Sequence, residues 1–357
     1  MRRARCASCS TRSCGERARG MDKLLTVVVP AYNVERYLDQ CLGSFVECPA
    51  REELEVLVID DGATDGSLEI AQRYRFQHPD LFRVFHKENG GHGSVINFGV
   101  DEARGAYVKV VDGDDWVDGA ALAGLIEVLA LGDADVVASD YHCVEDGSYR
   151  LLDHRHAAAD PSHYGRVCGF DVVADEEIMK IHSLTYRTSI LRDNGVRFAE
   201  GCFYEDAQFA IFPLPFCQTV RYDDNVVYQY RLGRAGQSVD ITSLVARRAE
   251  HERILESLFA LSDEQAGADA GHRAYLDRAI AYFVQNQYQI YLARGLGGGS
   301  FAEMRAFDRR LRAEQRGVYD AVGKRSIWLI RKTGYAAFPL GVAAYRAREA
   351  LRGLRRR

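Results

Sequence analysis

Residues 24–33, LLTVVVPAYN, run an unbroken apolar, β-branched stretch into a proline. A run this short and this continuous reads as a strand buried on both faces, and Pro30 ends it by removing a backbone donor. The same signature recurs outward along the chain: LEVLVIDDG at 54–62, LFRVFHK at 81–87, AYVKVVD at 106–112 and ADVVASDYHCV at 134–144. Segments of helical spacing lie between these runs. Tyr37, Leu38, Cys41, Leu42 and Phe45 mark one; Thr64, Asp65 and Ser67 offer N-caps for a second running through Tyr74; a third runs through Ala103. Continuous apolar strands alternating with helices predict an α/β fold: a Rossmann-like, mostly parallel sheet flanked by helices.

The chain has 357 residues, enough for one large domain or two smaller ones. Its 46 basic and 51 acidic residues leave a net charge of −5, which argues against a general nucleic-acid binder. The 9 cysteines are odd in number and scattered, and no secretory signal precedes them, so the expected compartment is a reducing cytoplasm. Cys6, Cys9 and Cys14 lack a fourth ligand at zinc-site spacing, so residues 1–20 read as a disordered leader, or as an extension outside the native protein, and Met21 opens the first periodic segment. No run reaches the roughly 18 apolar residues of a membrane-spanning helix. The expected division is a catalytic α/β domain over 21–240 and a helical region over 241–357, the latter interrupted by a flexible GLGGGS at 295–300.

In a parallel sheet, ligands bind beyond the carboxyl ends of the strands. Three strand ends here carry polar or acidic turns: Tyr32-Asn33, Asp60-Asp61 and the VVDGDDW of 110–116. Asp112, Asp114 and Asp115 repel one another unless a cation sits among them or water solvates the turn. In an extended segment Asp112 and Asp114, two apart, face one ion, and a hard Mg²⁺ or Mn²⁺ takes such carboxylates together with substrate phosphates. An acidic surface turn around Gly113 is the competing reading. Asp61 suits a ribose or base donor, and Tyr32 suits stacking on a base, against a helix cap and rim packing. ENGGHGS at 88–94 lacks the dinucleotide fingerprint spacing; its Asn89 and Gly91 suit a loop whose backbone faces a phosphate or sugar, or a plain tight turn. In YEDAQF, 204–209, Glu205 and Asp206 open a helix: either one caps it while the other reaches a cleft as a general base, or both simply suit a helix N-terminus that favours acids.

Together these stretches resemble glycosyltransferase family 2, with its GT-A fold. The residues that carry the resemblance are TVVVPAYNVERYLDQCLGS, LEVLVIDDGATDGS, KENGGHGSVINFGVDEARGAYVKVVDGDDWV and FYEDAQF, in order between Leu24 and Phe209. The resemblance implies a metal-dependent, inverting transfer of a single sugar from a nucleotide-diphosphate donor, UDP foremost, with Mn²⁺ or Mg²⁺ as cofactor. By position, Pro30, Tyr32, Asp60 and Asp61 would contact the base and ribose, Asp112 and Asp114 would form the D-x-D with Asp114 the direct metal ligand, and Asp206 would take the acceptor proton with Glu205 beside it. YRLGRAGQSV at 230–239 resembles the late loop over the donor phosphates, so Arg231 or Arg234 would add positive charge there. Ile96-Asn97 stands where the family often has Arg-Asn, leaving Asn97 alone to reach the donor. The Q-x-x-R-W signature of processive synthases is absent, in keeping with single-sugar transfer.

The acceptor is expected to be a saccharide or a lipid-linked saccharide of a surface polysaccharide or glycolipid pathway. The tail from Lys324 to Arg357 mixes aromatic and aliphatic residues with ten basic ones, as in an amphipathic helix lying at the inner face of a membrane, or one packed on the domain with its charges in water. A sugar-nucleotide pyrophosphorylase would need a glycine-rich, basic loop after the first strand, and PAYNVERY is not one. A catalytically inactive nucleotide- or glycan-binding module of the same fold is the remaining alternative.

Overall fold

The computed structural model describes residues 23–233 and 241–355. The first apolar run forms β1 (Lys23–Ala31), followed by α1 (Glu35–Val46), β2 (Leu54–Asp60), α2 (Ser67–Gln77), β3 (Phe82–His86), α3 (His92–Glu102) and β4 (Gly105–Val110). These four strands lie side by side in the order β3-β2-β1-β4, all parallel. Every residue of β2 is buried, as a strand covered on both faces requires.

A mixed half extends this parallel one. After the short β5 (Trp116–Val117) come α4 (Gly119–Ala130), β6 (Val136–Glu145), β7 (Leu151–Arg155), β8 (Val167–Gly169), α5 (Phe170–Val173), β9 (Leu184–Arg187), α6 (Thr188–Asp193), α7 (Asp206–Ile211) and β10 (Thr219–Leu232). β9 is antiparallel to both β4 and β6, and the long β10 runs parallel to β6 with an irregularity between Asp223 and Tyr228. That irregularity lets one strand pair with β8 near its start and with β5 near its end, so the sheet curls round the carboxyl ends of β1, β2 and β4.

Two apolar layers cover the sheet. Leu25, Val27 and Val29 of β1 pack with Leu38, Leu42 and Phe45 of α1 and with Leu122 and Leu125 of α4 on one face. On the other, Val28, Leu57 and Val110 join Val95 and Ile96 of α3 in a core that continues into the carboxyl-terminal helices. Those helices are α8 (Ile241–Ala246), α9 (Arg248–Glu264), α10 (Ala270–Arg294), α11 (Ser300–Glu314), α12 (Arg316–Ala321), α13 (Arg325–Lys332) and α14 (Phe338–Arg355). α10 is the hub, with Tyr275, Ile280, Val284 and Tyr288 buried along its length. The basic tail packs onto it through Ile327, Ile330, Phe338 and Val342, all buried, while Arg331 pairs with the buried Asp308 at 2.8 Å. No helix among the described residues is long and apolar enough to cross a membrane. The six described cysteines are buried free thiols.

Candidate active site

The carboxyl ends of β1 and β4 meet through one glycine. Gly113 N–H donates to Pro30 O at 3.1 Å, and a Cβ at 113 would stand 2.7 Å from that same oxygen. Asp115 N–H in turn donates to Asp112 O at 2.9 Å. Residues 112–115 are therefore a turn rather than an extended segment, and strand alternation does not place Asp112 and Asp114 on one side as the spacing suggests. The pair brought together is Asp112 and Asp115. The Tyr228 hydroxyl of β10 lies 2.6 Å from Asp115 Oδ2 and 3.2 Å from Asp112 Oδ2. Asp114 is buried in the same turn.

Burial, then Asp114 and Asp112, push the Asp115 carboxyl well above the usual range. Three acids crowded into a partly dry turn ask for a cation. His182, just before β9, offers a further ligand: its ring atom lies within 4.8 Å of the Asp112 and Asp115 oxygens, and its buried Nδ1 has no hydrogen-bond partner. Burial lowers it to about 4, so it is neutral and able to ligate. Oxygens from Asp112 and Asp115 with one imidazole suit a divalent cation of the Mn²⁺ or Mg²⁺ type, Mn²⁺ tolerating the nitrogen better.

The acids of α7 reach this turn by way of the glycine-rich loop. Gly93 lies so close to the 199–201 segment that a Cβ there would stand 2.1 Å from Ala199 O, and Gly201 N–H donates to Gly90 O at 2.6 Å. This docking sets Glu205 beside His92 at the start of α3. His92 spans the site, with Nε2 2.8 Å from Asp112 Oδ1 and Nδ1 2.7 Å from Glu205 Oε1. Burial opposes charge on His92, but Asp112 and Glu205 overcome it and hold its pKa well above the usual value. Reciprocally, His92 outweighs burial at Asp112 and brings that carboxyl to about 2. Asp206 opens α7 and is exposed, near enough to Glu205 and His92 to feel their charges; the protein mass around it, then Glu205, raise its carboxyl to about 6.

Other expected site residues are engaged within the protein. Asp61 Oδ1 accepts from Lys87 Nζ and from Gly90 N–H at 3.0 Å, and its Oδ2 from Gly91 N–H at 2.8 Å, so it shapes the loop that carries the exposed Asn89. Asp60 is fully buried, with Oδ2 2.6 Å from His86 Nδ1. Asn97 straps Phe198 through both its backbone groups at 2.9 Å and touches Glu200 at 3.0 Å, an anchor for the same segment. Tyr32, half exposed just past Pro30, stands free to meet a flat ring. Arg231 is in β10 and not in a late loop: it is buried, stacked between Tyr37 and Trp116, and bound to Asp114 O at 2.7 Å, Gln40 Oε1 at 2.7 Å and Asp146 Oδ1 at 3.2 Å. It props the acidic turn from behind. Arg234 falls outside the described residues. His92, His182 and Tyr228 are members that sequence reasoning did not name; the adjacency of His92 to Gly91 in a loop near strand ends was the available signal, and His182 and Tyr228 carried none.

Residues 26–193 match the family model described as Glycosyl transferase family 2. The chain is 28% identical over 226 residues to the glycosyltransferase EpsJ of Bacillus subtilis, covering 59% of this chain and 62% of that one. It is 25% identical over 328 residues to the glycosyltransferase GlyA of Streptococcus pneumoniae, covering 88% of this chain and 45% of that one. It therefore spans less than two thirds of either relative. The crystal structure of Staphylococcus aureus TarS residues 1–349 in complex with UDP-GlcNAc superposes with a TM-score of 0.65 at 21% identity, over 91% of this chain and 92% of that one. The fold is the GT-A arrangement expected from the sequence, with a helical carboxyl-terminal region.

Proposed function

On the premise that residues 26–193 belong to glycosyl transferase family 2, we propose that the protein moves a single sugar from a nucleotide-diphosphate donor to an acceptor hydroxyl with inversion. The observation that carries this reading is the pair of hydrogen bonds by which His92 links the acidic turn to Glu205, with Asp206 next in the chain. Asp112 and Asp115, with His182 and the adjacent Asp114, would hold a divalent cation; such a cation supplies positive charge to the departing diphosphate. Asp206, with its carboxyl raised to about 6, takes the acceptor proton as that oxygen attacks the anomeric carbon from the face opposite the diphosphate. Glu205 and His92 hold the acceptor-side and donor-side acids in register, and Tyr228 fixes Asp115. No covalent intermediate is required, since attack and departure are in line.

UDP is the proposed nucleotide, supported by the UDP-GlcNAc bound by the structurally similar TarS domain. Tyr32 would stack on its base. Calorimetric titration of UDP in the presence of Mn²⁺, then with EDTA, and with GDP as control tests the donor site. Cation-dependent UDP binding followed by UDP release from a UDP-sugar supports the proposal; no binding of either nucleotide refutes it. Asp206→Asn separates an enzyme from an inactive binding module, since the enzyme loses turnover and keeps nucleotide affinity.

The acceptor is proposed to be a saccharide or lipid-linked saccharide of cell-envelope synthesis, reached at the inner membrane face. Exposed Trp328, Leu329 and Leu340, flanked by the tail's basic residues, support peripheral contact. Because α13 and α14 close the core, substitution of these three by serine, rather than deletion of the tail, is the informative variant. Undiminished sedimentation of that variant with anionic liposomes refutes the contact.

A further inference from the structure

The hairpin of β6 and β7 carries a second cluster that the proposed reaction does not use. Strand alternation places Asp140 and His142 of β6 on one face, and His154 and His156 likewise. The register pairs His142 with His154 and Tyr141 with Arg155, and just past the end of β7 the His156 ring meets Asp140. One aspartate and three histidines thus form a two-by-two patch. Tyr141 between them packs against His182 with ring centres 5.2 Å apart, so the patch lies on the other face of β6 from His182 and the acidic turn. Arg155 points away with Tyr141 and pairs with Asp153, leaving no cation of the hairpin inside the patch.

The geometry is convergent. His154 Nε2 stands 2.7 Å and His156 Nδ1 3.0 Å from one oxygen, Asp140 Oδ2, and the three donor atoms lie within 4.8 Å of one another. Two ligands at about 2.0–2.1 Å from a shared zinc-type ion are separated by about 2.9–3.4 Å, a range that the two nitrogen–oxygen separations here already approach. The other carboxylate oxygen is already fixed, accepting from Tyr164 Oη at 2.6 Å and Ala157 N–H at 2.8 Å. That is the outer hydrogen bonding by which a metal-binding carboxylate is oriented. The His154 and His156 rings stack at 4.2 Å, and His142 stands edge-on to His154 with ring centres 5.0 Å apart, bordering the group of three. Burial would lift the Asp140 carboxyl, but the bonds from Tyr164, His154, Ala157 and His156 hold it below the usual value.

We propose that Asp140, His154 and His156, with His142 beside them, bind one imidazole-preferring divalent ion of the zinc class, apart from the oxygen-rich site for the catalytic cation. A carboxylate with two or three imidazoles selects zinc-type ions over Mg²⁺. Bound there, the ion ties β7 to β6 and anchors the segment after it, where Ala157 and Ala158 enter the core.

The test is equilibrium zinc titration of the full chain under saturating Mg²⁺, read by metal content and by the melting temperature. The thiols of Cys6, Cys9 and Cys14 and the acidic turn compete for added zinc, so the readout is the difference between variants. Wild type binds one equivalent more than His154→Gln/His156→Gln, and its melting temperature rises with zinc while that of the variant does not. His156→Gln alone, at an exposed side chain, keeps the fold and weakens that equivalent by at least about tenfold; Tyr164→Phe, which leaves Asp140 Oδ1 with the Ala157 N–H alone, weakens it by about 10–100-fold. Equal zinc content and equal zinc-induced melting shifts in wild type and the double variant overturn the proposal.

Discussion

If Asp206 is the base, the pH dependence of turnover is set by the groups and protein mass near its carboxyl. Its value of about 6 leaves it about 90% ionised at pH 7 and about 10% at pH 5, so kcat/KM should fall nearly tenfold per unit below pH 6. The sign is fixed by the role: the base works ionised, so activity rises with pH through about 6. Asp112 lies near 2, below this window. Asp223 also titrates near 6, but in the sheet, and it is distinguished by mutation. Glu205 is, after burial, the main cause of the raised value, so Glu205→Gln should move the acid limb to lower pH. Asp206→Asn should lower kcat by about 10²–10⁴-fold and abolish the limb altogether. The assay is release of the nucleoside diphosphate at saturating divalent cation from about pH 4.5 to 8. An acid limb near 4 in the wild type, or one near 6 that survives Asp206→Asn, refutes the assignment.

Three further outcomes follow from the same geometry. Asp112→Asn removes the carboxylate shared by His92, Tyr228 and the acidic turn, and should abolish the cation dependence of nucleotide binding in calorimetry while the chain stays folded by circular dichroism. Gly93→Ala puts a methyl 2.1 Å from Ala199 O, so the 199–201 segment must shift; the expected cost is about 1–3 kcal/mol in denaturant unfolding, with a larger fractional loss of kcat as α7 leaves its place. Arg231→Met leaves Asp146, Gln40 and Asp114 O without their buried donor, and should destabilise by about 3–5 kcal/mol in urea denaturation. A phosphate-binding role alone would instead lower donor affinity at unchanged stability.

The local sequence was enough to reveal the parallel half of the sheet. β1, β2 and β4 are buried on both faces, and that demand is written in each strand as an uninterrupted apolar run, independent of what lies beside it. Parallel pairing then obliges their carboxyl ends to share an edge, so the acids following those runs could be placed in one site before any coordinates. Which acids face each other was a tertiary matter. The turn at 112–115 depends on Gly113 meeting Pro30 O, and it pairs Asp112 with Asp115 where alternation suggested Asp114. His92 joins Glu205 only because Gly93 lets the 199–201 segment dock, and Arg231 turns inward because Tyr37 and Trp116 enclose it. The hairpin patch is similar: Asp140, His142, His154 and His156 show their alternation in the sequence, but only the pairing of β6 with β7 brings them together. Periodicity tells which way a side chain points along its own element. What it meets is decided by register and close approach between elements distant in the chain, and that information resides in the packing.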